Sequence, residues 1–314
     1  MILSVTLIIV LTLLGIYLSL SSPKIIYNFY HWRSNYEINS TQNNPPKYIK
    51  VLDVSFGETL LFIKTSFKAS PTDSIVPIIY LDNSLWSKMR ATTMVSKVLR
   101  SLKEMPIDYS EIQVDCDWTD STRVSYFKFL KLLKKESAKK LSATIRLHQI
   151  KYYTKTGVPP VDYGVLMYYN MSDFRDLETQ NYILDLEVAK RYHYNFESYP
   201  MDLNLALPLY AQATIMRFGK VVGIIEGVRE SSINKNFKKI KDHNFKIIKT
   251  HYFNGRLLYE GDTIRVDEVS PELLRETIAE LSRVMKRPKE IIFYRWGNRG
   301  FYGDEFFEEL LGGW

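Results

Sequence analysis

The stretch Ile112-Gln113-Val114-Asp115-Cys116-Asp117-Trp118-Thr119 combines an apolar and an acidic pattern at spacing two. Side chains alternate between the two faces of a strand. The apolar face carries Ile112, Val114 and Cys116, and the polar face carries Gln113, Asp115, Asp117 and Thr119. We expect the apolar face to pack on outer helices. The polar face should then point into a barrel at the carboxyl end of the strand, where the active sites of such barrels lie.

Strand-like and helical patterns alternate on both sides of this stretch. The eight predicted strands are 24–30, 48–54, 75–81, 112–115, 141–147, 161–168, 202–207 and 291–294. The predicted helices are 87–105, 121–136, 176–194, 271–285 and 303–311. Alternation of this kind predicts parallel pairing in an α/β fold, and eight strands fit a (β/α)8 TIM barrel of about 250 residues.

Residues 211–269 interrupt the alternation. They contain two hairpin signals, Phe218-Gly219 and Asn254-Gly255. Asn-Gly is the strongest short turn signal because both residues tolerate a positive φ. The sequence therefore predicts a small β-rich insertion after the seventh strand of a barrel that occupies residues 23–314.

Residues 1–22 form a separate, apolar segment. Ile2–Leu20 contains nineteen residues without a charge, which is long enough to cross a bilayer as a helix. The segment is predicted to be a signal peptide or an N-terminal membrane anchor, and Ser19-Leu20-Ser21 offers small residues for cleavage. Lys24 and Arg33, on its C-terminal flank, favour the opposite orientation, with the body in the cytosol.

The composition excludes several classes of protein. The chain has 314 residues, of which 46% are hydrophobic, so it is neither disordered nor collagen-like. Its single cysteine, Cys116, excludes an internal disulfide framework. The net charge of +7 alone does not predict a nucleic-acid partner. No phosphate-binding loop, G-x-S-x-G or H-E-x-x-H motif is present, so no cofactor is expected.

The paired carboxylates are the main candidate for chemistry. Asp115 and Asp117 should repel each other and raise one of the two pKa values, which suits an acid/base pair. A structural hydrogen-bond ladder is the alternative. Thr144, Arg146 and His148 should share a face of the next strand, where Arg146 and His148 could bind a hydroxylated or anionic ligand. Arg146 could instead neutralise the carboxylates. No ligand-spacing motif supports a metal site here.

Aromatic residues follow several predicted strands. Trp32 ends the first strand, and Trp296 ends the eighth. Sugars stack on aromatic faces through their apolar C–H surfaces, so aromatic side chains at one end of a barrel suit a glycan.

Four segments together resemble glycoside hydrolase family 18, the chitinase-like barrels, over about residues 24–314. Asp115 and Asp117 match the second and third Asp of the family's fourth-strand motif DxxDxDxE. Met167-Tyr168-Tyr169-Asn170 resembles its sixth-strand M-x-Y-D/N, and Ala206-Leu207-Pro208-Leu209-Tyr210 resembles its seventh-strand G-x-P-x-Y. Arg295-Trp296-Gly297 resembles the eighth strand, and the insertion after strand seven is also a family feature. The chain is also similar to uncharacterised bacterial barrels distantly related to that family.

The resemblance implies roles for single residues. Asp115, Asp117 and Tyr169 are the implied catalytic residues. The implied substrate-binding residues are Trp32, Arg146, His148, Asn170, Tyr210 and Trp296. Two positions depart from the motif, because Thr119 replaces the general-acid Glu and Ile112 replaces the first Asp. Threonine cannot protonate a leaving group at neutral pH, so either another group is the acid or the barrel no longer hydrolyses glycans.

Two functional hypotheses follow from the resemblance. The first is a glycosidase-like barrel that acts on a cell-envelope or environmental polysaccharide. The second is a barrel that binds glycans without turnover, as a binding or scaffold protein. Both place the barrel in the cell envelope, membrane-anchored or secreted and facing away from the cytosol, as a monomer with a glycan as its partner.

Overall fold

The computed structural model describes residues 24–38, 42–71, 73–176 and 178–314. The predicted signal or anchor segment at 1–22 lies outside these residues. In the part of the chain that is described, no helix is both long and apolar enough to cross a membrane.

Eight parallel strands form a closed barrel. They are β1 (Ile26–His31), β2 (Tyr48–Phe56), β3 (Val76–Leu81), β4 (Glu111–Asp115), β5 (Lys140–Arg146), β6 (Tyr163–Met167), β7 (Leu203–Pro208) and β8 (Glu290–Tyr294). Each strand pairs with the next along the chain, and β1 pairs with both β8 and β2, which closes the ring. The predicted (β/α)8 TIM barrel is confirmed.

Helices pack on the outside of the barrel. The α-helices are α1 (Ala91–Lys103), α2 (Arg123–Ser137), α3 (Leu147–Lys151), α4 (Tyr153–Thr156), α5 (Leu186–Lys190), α6 (Pro271–Val284) and α7 (Asp304–Leu311). Short 3-10 turns span Asn83–Ser87, Glu230–Ser232 and Trp296–Phe301. Helix α6 begins as its sequence predicts: Pro271 occupies the first turn, and the Ser270 side chain caps the helix by accepting from the Leu273 N–H at 3.1 Å.

The predicted helix at 176–194 is wrong, since among the residues of that range that the structure describes only α5 is helical. Hydrogen bonds between side chains and backbone groups hold this segment in a non-helical conformation instead. The Asn181 side chain accepts from the Ile183 N–H at 3.0 Å and donates to the Glu268 carbonyl at 2.8 Å. Asp185 then caps α5 by accepting from two backbone N–H groups. Local side-chain bonds of this kind compete with helix formation and leave one short turn of helix.

Residues Ala211 to Glu268 form a second sheet beyond β7. Its five antiparallel strands, in spatial order, are Lys220–Glu226, Ala211–Arg217, Thr263–Glu268, Asn244–Ile247 and Phe237–Lys241. A separate hairpin joins His251–Phe253 to Arg256–Leu258. Both predicted hairpin turns are confirmed, with positive φ at Phe218 and Gly219 and at Asn254 and Gly255. This sheet has its own hydrophobic core, which includes Ile215, Phe245 and Ile264.

Candidate functional site

Two carboxylates and one guanidinium meet at the carboxyl ends of β4 and β5. Asp115 ends β4, is only 6% exposed and accepts a hydrogen bond from Thr144 Oγ1 at 2.6 Å. Asp117 lies two residues further on, with a side chain that is 54% exposed. Arg146 ends β5 and donates to both oxygens of Asp117, from Nε at 2.7 Å and from Nη2 at 3.1 Å. The guanidinium therefore neutralises Asp117, as one of the sequence alternatives predicts.

The Asp115 carboxyl group has a raised pKa. Burial, together with the nearby charge of Asp117, raises its pKa to about 6. Arg146, Thr144 and Lys50 act in the opposite direction but do not cancel these effects. Burial alone would lower the pKa of Arg146, but its bonds to Asp117 and the charge of Asp115 raise it, so it stays a cation. The site thus combines the Arg146–Asp117 ion pair with one carboxyl group, Asp115, whose pKa is raised to about 6.

Tyrosine side chains surround this cluster. The Tyr169 ring stacks on the Tyr294 ring with centroids 5.4 Å apart, and the Tyr210 ring meets Tyr294 edge-on at 5.6 Å. Trp32 contacts the same ring at 5.9 Å. Burial raises the pKa of Tyr294 to about 12 against the lowering effect of Arg295, so its hydroxyl is neutral at ordinary pH. Tyr169 is only 3% exposed and supports the Tyr294 ring from beneath, whereas Trp32, Tyr210 and Tyr294 are partly exposed. These partly exposed rings match the apolar C–H faces of a sugar.

Tyr294 is a central residue that the sequence analysis missed. It ends β8 and lies two residues before Trp296, on which the family resemblance focused. The sequence could have indicated Tyr294 as a site residue only through its position, because it is an aromatic residue at the end of a barrel strand. Tyr294 is central because it packs against a ring from the segment after β6, and the sequence of one strand cannot show this contact.

Asn170 and Tyr210 form a bonded pair next to the tyrosines. The Tyr210 hydroxyl donates to the Asn170 side-chain carbonyl. Asn170 follows β6 with a positive φ of 56°, and its N–H donates to the Ile183 carbonyl at 2.8 Å. Asn170 is thus held in place by both its side chain and its backbone, and Tyr210 orients its amide.

Trp296 lies further out than Tyr294. Its indole N–H donates to the Asn44 carbonyl at 2.8 Å, and the Arg299 guanidinium lies 3.9 Å from its ring centroid. Trp296 and Trp32 line a depression of about 320 Å³ beside β1, together with His31, Arg33 and Arg295. The aromatic surface therefore continues outward from the tyrosines along the β1–β8 side of the barrel.

His148 does not share a strand face with Thr144 and Arg146, because β5 ends at Arg146 and α3 begins at the next residue. That placement was a wrong prediction. His148 lies on α3 with part of its surface exposed. Partial desolvation of its ring lowers its pKa, and the charge of Asp117 acts in the opposite direction. Gln149 fixes the turn instead, accepting from the Arg146 N–H at 2.8 Å and donating to the Trp118 carbonyl at 3.0 Å.

Thr119 is part of a turn rather than of the acidic cluster. Its N–H donates to Thr122 Oγ1 at 2.9 Å, and its own hydroxyl lies 3.0 Å from the Ser121 hydroxyl. The side chain is exposed and carries no ionisable group. This position therefore offers hydrogen bonds and no acidic proton.

Two solved structures show the same fold at low sequence identity. The spore cortex-lytic enzyme SleL of Bacillus cereus superposes with a TM-score of 0.55 and 12% identity, over 93% of this chain and 75% of that chain. A chitinase from Chromobacterium violaceum superposes with a TM-score of 0.50 and 10% identity, over 92% of this chain and 98% of that chain. The sequence matches no protein-family profile and no curated protein sequence. The chain thus has the (β/α)8 barrel fold of these two enzymes.

Proposed function

We propose that this protein is a glycosidase-like barrel that binds a glycan at the carboxyl ends of its strands, with binding rather than hydrolysis as its principal activity. The observation that carries the proposal is the bidentate Arg146–Asp117 pair beside Thr119. Asp117 is the more exposed of the two paired aspartates, and both of its carboxylate oxygens accept from the Arg146 guanidinium. Thr119 has a hydroxyl where glycoside hydrolase family 18 has its general-acid Glu. The tyrosine rings supply the sugar-binding surface.

Hydrolysis is the second candidate function, and the raised pKa of Asp115 favours it. A carboxyl group that titrates near pH 6 holds a proton under mildly acidic conditions, as a general acid must. Hydrolysis by Asp115 would fall as the pH rises through about 6, because the acid form is lost. A glycan array probed with the protein, followed by a turnover assay on every glycan bound, separates binding from hydrolysis.

Asp117→Asn should weaken glycan binding by about 1.5–3 kcal/mol, or about 10- to 150-fold in Kd, which is the usual contribution of a hydrogen bond to a charged group. Titration calorimetry with a glycan from the array measures it. Asp120→Asn is the matched control, because Asp120 lies on the same loop, is exposed and pairs only at 3.6 Å with Arg123. Unchanged affinity with a large loss of thermal stability would instead identify Asp117 and Arg146 as purely structural.

We also propose that the apolar segment 2–20 delivers the barrel to the cell envelope, as an anchor or a cleaved signal, where a glycan is available. A reporter that is active only outside the cytosol, fused after Trp314, should give a signal. Activity of a cytosolic reporter alone would contradict export and favour the orientation that Lys24 and Arg33 indicate.

A further inference from the structure

The outer strands of the insertion carry a dense positive charge. Residues 235–249 contain six lysines and a single acid, Asp242. Lys238 and Lys246 are direct cross-strand partners, and both are exposed. Like charges directly opposite each other destabilise a sheet. The ion pairs of the segment join Lys239 and His243 to Glu230 and Lys241 to Asp242. Among the residues that the structure describes, Lys238 and Lys246 have no acidic partner.

The register of the sheet places these two lysines beside an apolar surface. Lys246 pairs with Thr263 on the next strand, and Thr263 pairs with Met216 on the strand after it. Side chains at paired positions point to the same face of a sheet. Lys238, Lys246, Thr263 and Met216 therefore form one row on one face, which we call the lysine face. The opposite face packs into the core of the insertion. On the lysine face itself, the next row contains Arg265 and Thr214, which are buried beside the barrel segment after β6, so the row of Lys238 and Lys246 lies at the exposed margin of this face.

The lysine face borders a groove with exposed apolar side chains. Thr263 and Met216 line this groove of about 560 Å³ together with Phe218 and Ile240. Residues 178–180 of the barrel also line it, and it contains two acids, Glu178 and Asp242, beside Lys241. Phe218 lies at the tip of a hairpin and is 97% exposed, and Ile240 is 57% exposed. A hairpin tip gains nothing in water from a fully exposed phenyl ring, so this surface suits a partner that is both anionic and apolar.

We propose that the lysine face binds the surface of an anionic lipid bilayer. Lys238 and Lys246 would contact lipid phosphates, which relieves their mutual repulsion, while Phe218 and Ile240 enter the boundary between headgroups and acyl chains. A soluble polyanion satisfies the lysines but offers no apolar phase to Phe218 and Ile240. The bilayer is therefore the partner that uses both parts of the surface. This contact is separate from the glycan site at Asp115 and does not depend on it.

Sedimentation with lipid vesicles tests the proposal. The protein used is residues 24–314, which contain the closed barrel and both hydrophobic cores, after a cooperative thermal transition has established that this part is folded. We expect binding to vesicles of mixed phosphatidylcholine and phosphatidylglycerol that weakens as salt is added. Binding to phosphatidylcholine alone should be much weaker. Equal binding to both vesicles, or to neither, would overturn the proposal.

Matched variants separate the bilayer from other partners. The double variant Lys238→Gln/Lys246→Gln should lose about 30-fold in vesicle affinity, the product expected for two lysines at an anionic surface. Lys128→Gln/Lys131→Gln, an exposed pair on α2 with the same charge change, should bind as the unmodified protein does. Equal effects of the two double variants would contradict a specific face.

Phe218→Ser distinguishes lipid from a soluble polyanion. It should weaken vesicle binding at low and at high salt alike, because the apolar contribution of the phenyl ring is not screened. A soluble polyphosphate chain serves as the competitor. If the protein binds polyphosphate as tightly as vesicles and Phe218→Ser binds vesicles normally, the partner is a polyanion and the bilayer proposal is wrong.

Discussion

Arg265→Ala should lower the free energy of unfolding by about 3–5 kcal/mol, the loss expected when one partner of a buried ion pair is removed. The Arg265 and Asp267 side chains are fully buried, and the guanidinium donates to both carboxylate oxygens, at 2.9 and 3.2 Å. Arg265 also donates to the carbonyls of Phe174 and Asp176 in the segment after β6. The substitution therefore leaves one buried charge and two carbonyl groups without their donor.

The raised pKa of Asp267 also predicts a large loss of stability when Arg265 is removed. Burial raises this pKa even though Arg265, the Tyr182 N–H and Thr214 lower it. Without Arg265 the carboxyl group must take up a proton or remain as an uncompensated charge, and both outcomes cost stability. Because the Tyr182 N–H donates to Asp267 at 3.0 Å, this amide should also exchange its hydrogen faster in the variant.

Urea unfolding of three variants tests the Arg265 prediction. Lys289→Ala breaks an exposed pair with Asp202, whose side chains are 82% and 69% exposed, and should cost less than about 1 kcal/mol. Arg265→Met/Asp267→Leu removes both charges and should be more stable than Arg265→Ala, because no buried charge is left unpaired. A cost for Arg265→Ala as small as that for Lys289→Ala would show that the pair contributes little.

Local patterns were sufficient to predict the barrel. The predicted strand at 75–81 is observed as Val76–Leu81, and the strand at 112–115 as Glu111–Asp115. Runs of apolar residues bounded by turn-forming residues carry this information within the segment itself. The Asn254-Gly255 turn is local in the same sense, since its two positive φ angles depend on the residues that occupy it.

Long-range contacts explain what sequence patterns could not predict. Residues 178–185 are not helical because Asn181 and Tyr182 bond to Glu268 and Asp267, more than eighty positions away. The central position of Tyr294 depends on rings from the segments that follow β6 and β7. The sequence analysis named Arg146 as a neutralising partner of the carboxylates, but only the geometry shows that Asp117 receives both donors.

Asp115→Asn should raise the free energy of unfolding by about 3 kcal/mol above about pH 7 and leave it nearly unchanged below about pH 3. The folded-state pKa of Asp115 is about 6, whereas its ordinary value is 3.8. Between these values the folded protein holds a proton that the unfolded chain has released. The stability that Asp115 contributes is therefore full below about pH 4 and is lost as the pH rises through 6. Asparagine has no proton to lose, and its carbonyl can still accept from Thr144.

Urea unfolding at a series of pH values measures this difference directly. The stability of Asp115→Asn minus that of the unmodified protein should rise from about zero to its plateau between about pH 4 and 6. Arg146→Gln should move the upper end of the transition above pH 6, because Arg146 lowers the pKa of Asp115. A difference that does not change with pH would show that Asp115 has the same pKa in the folded and the unfolded chain. Asp115 would then be almost fully ionised near pH 6 and could not act there as the acid for a leaving group.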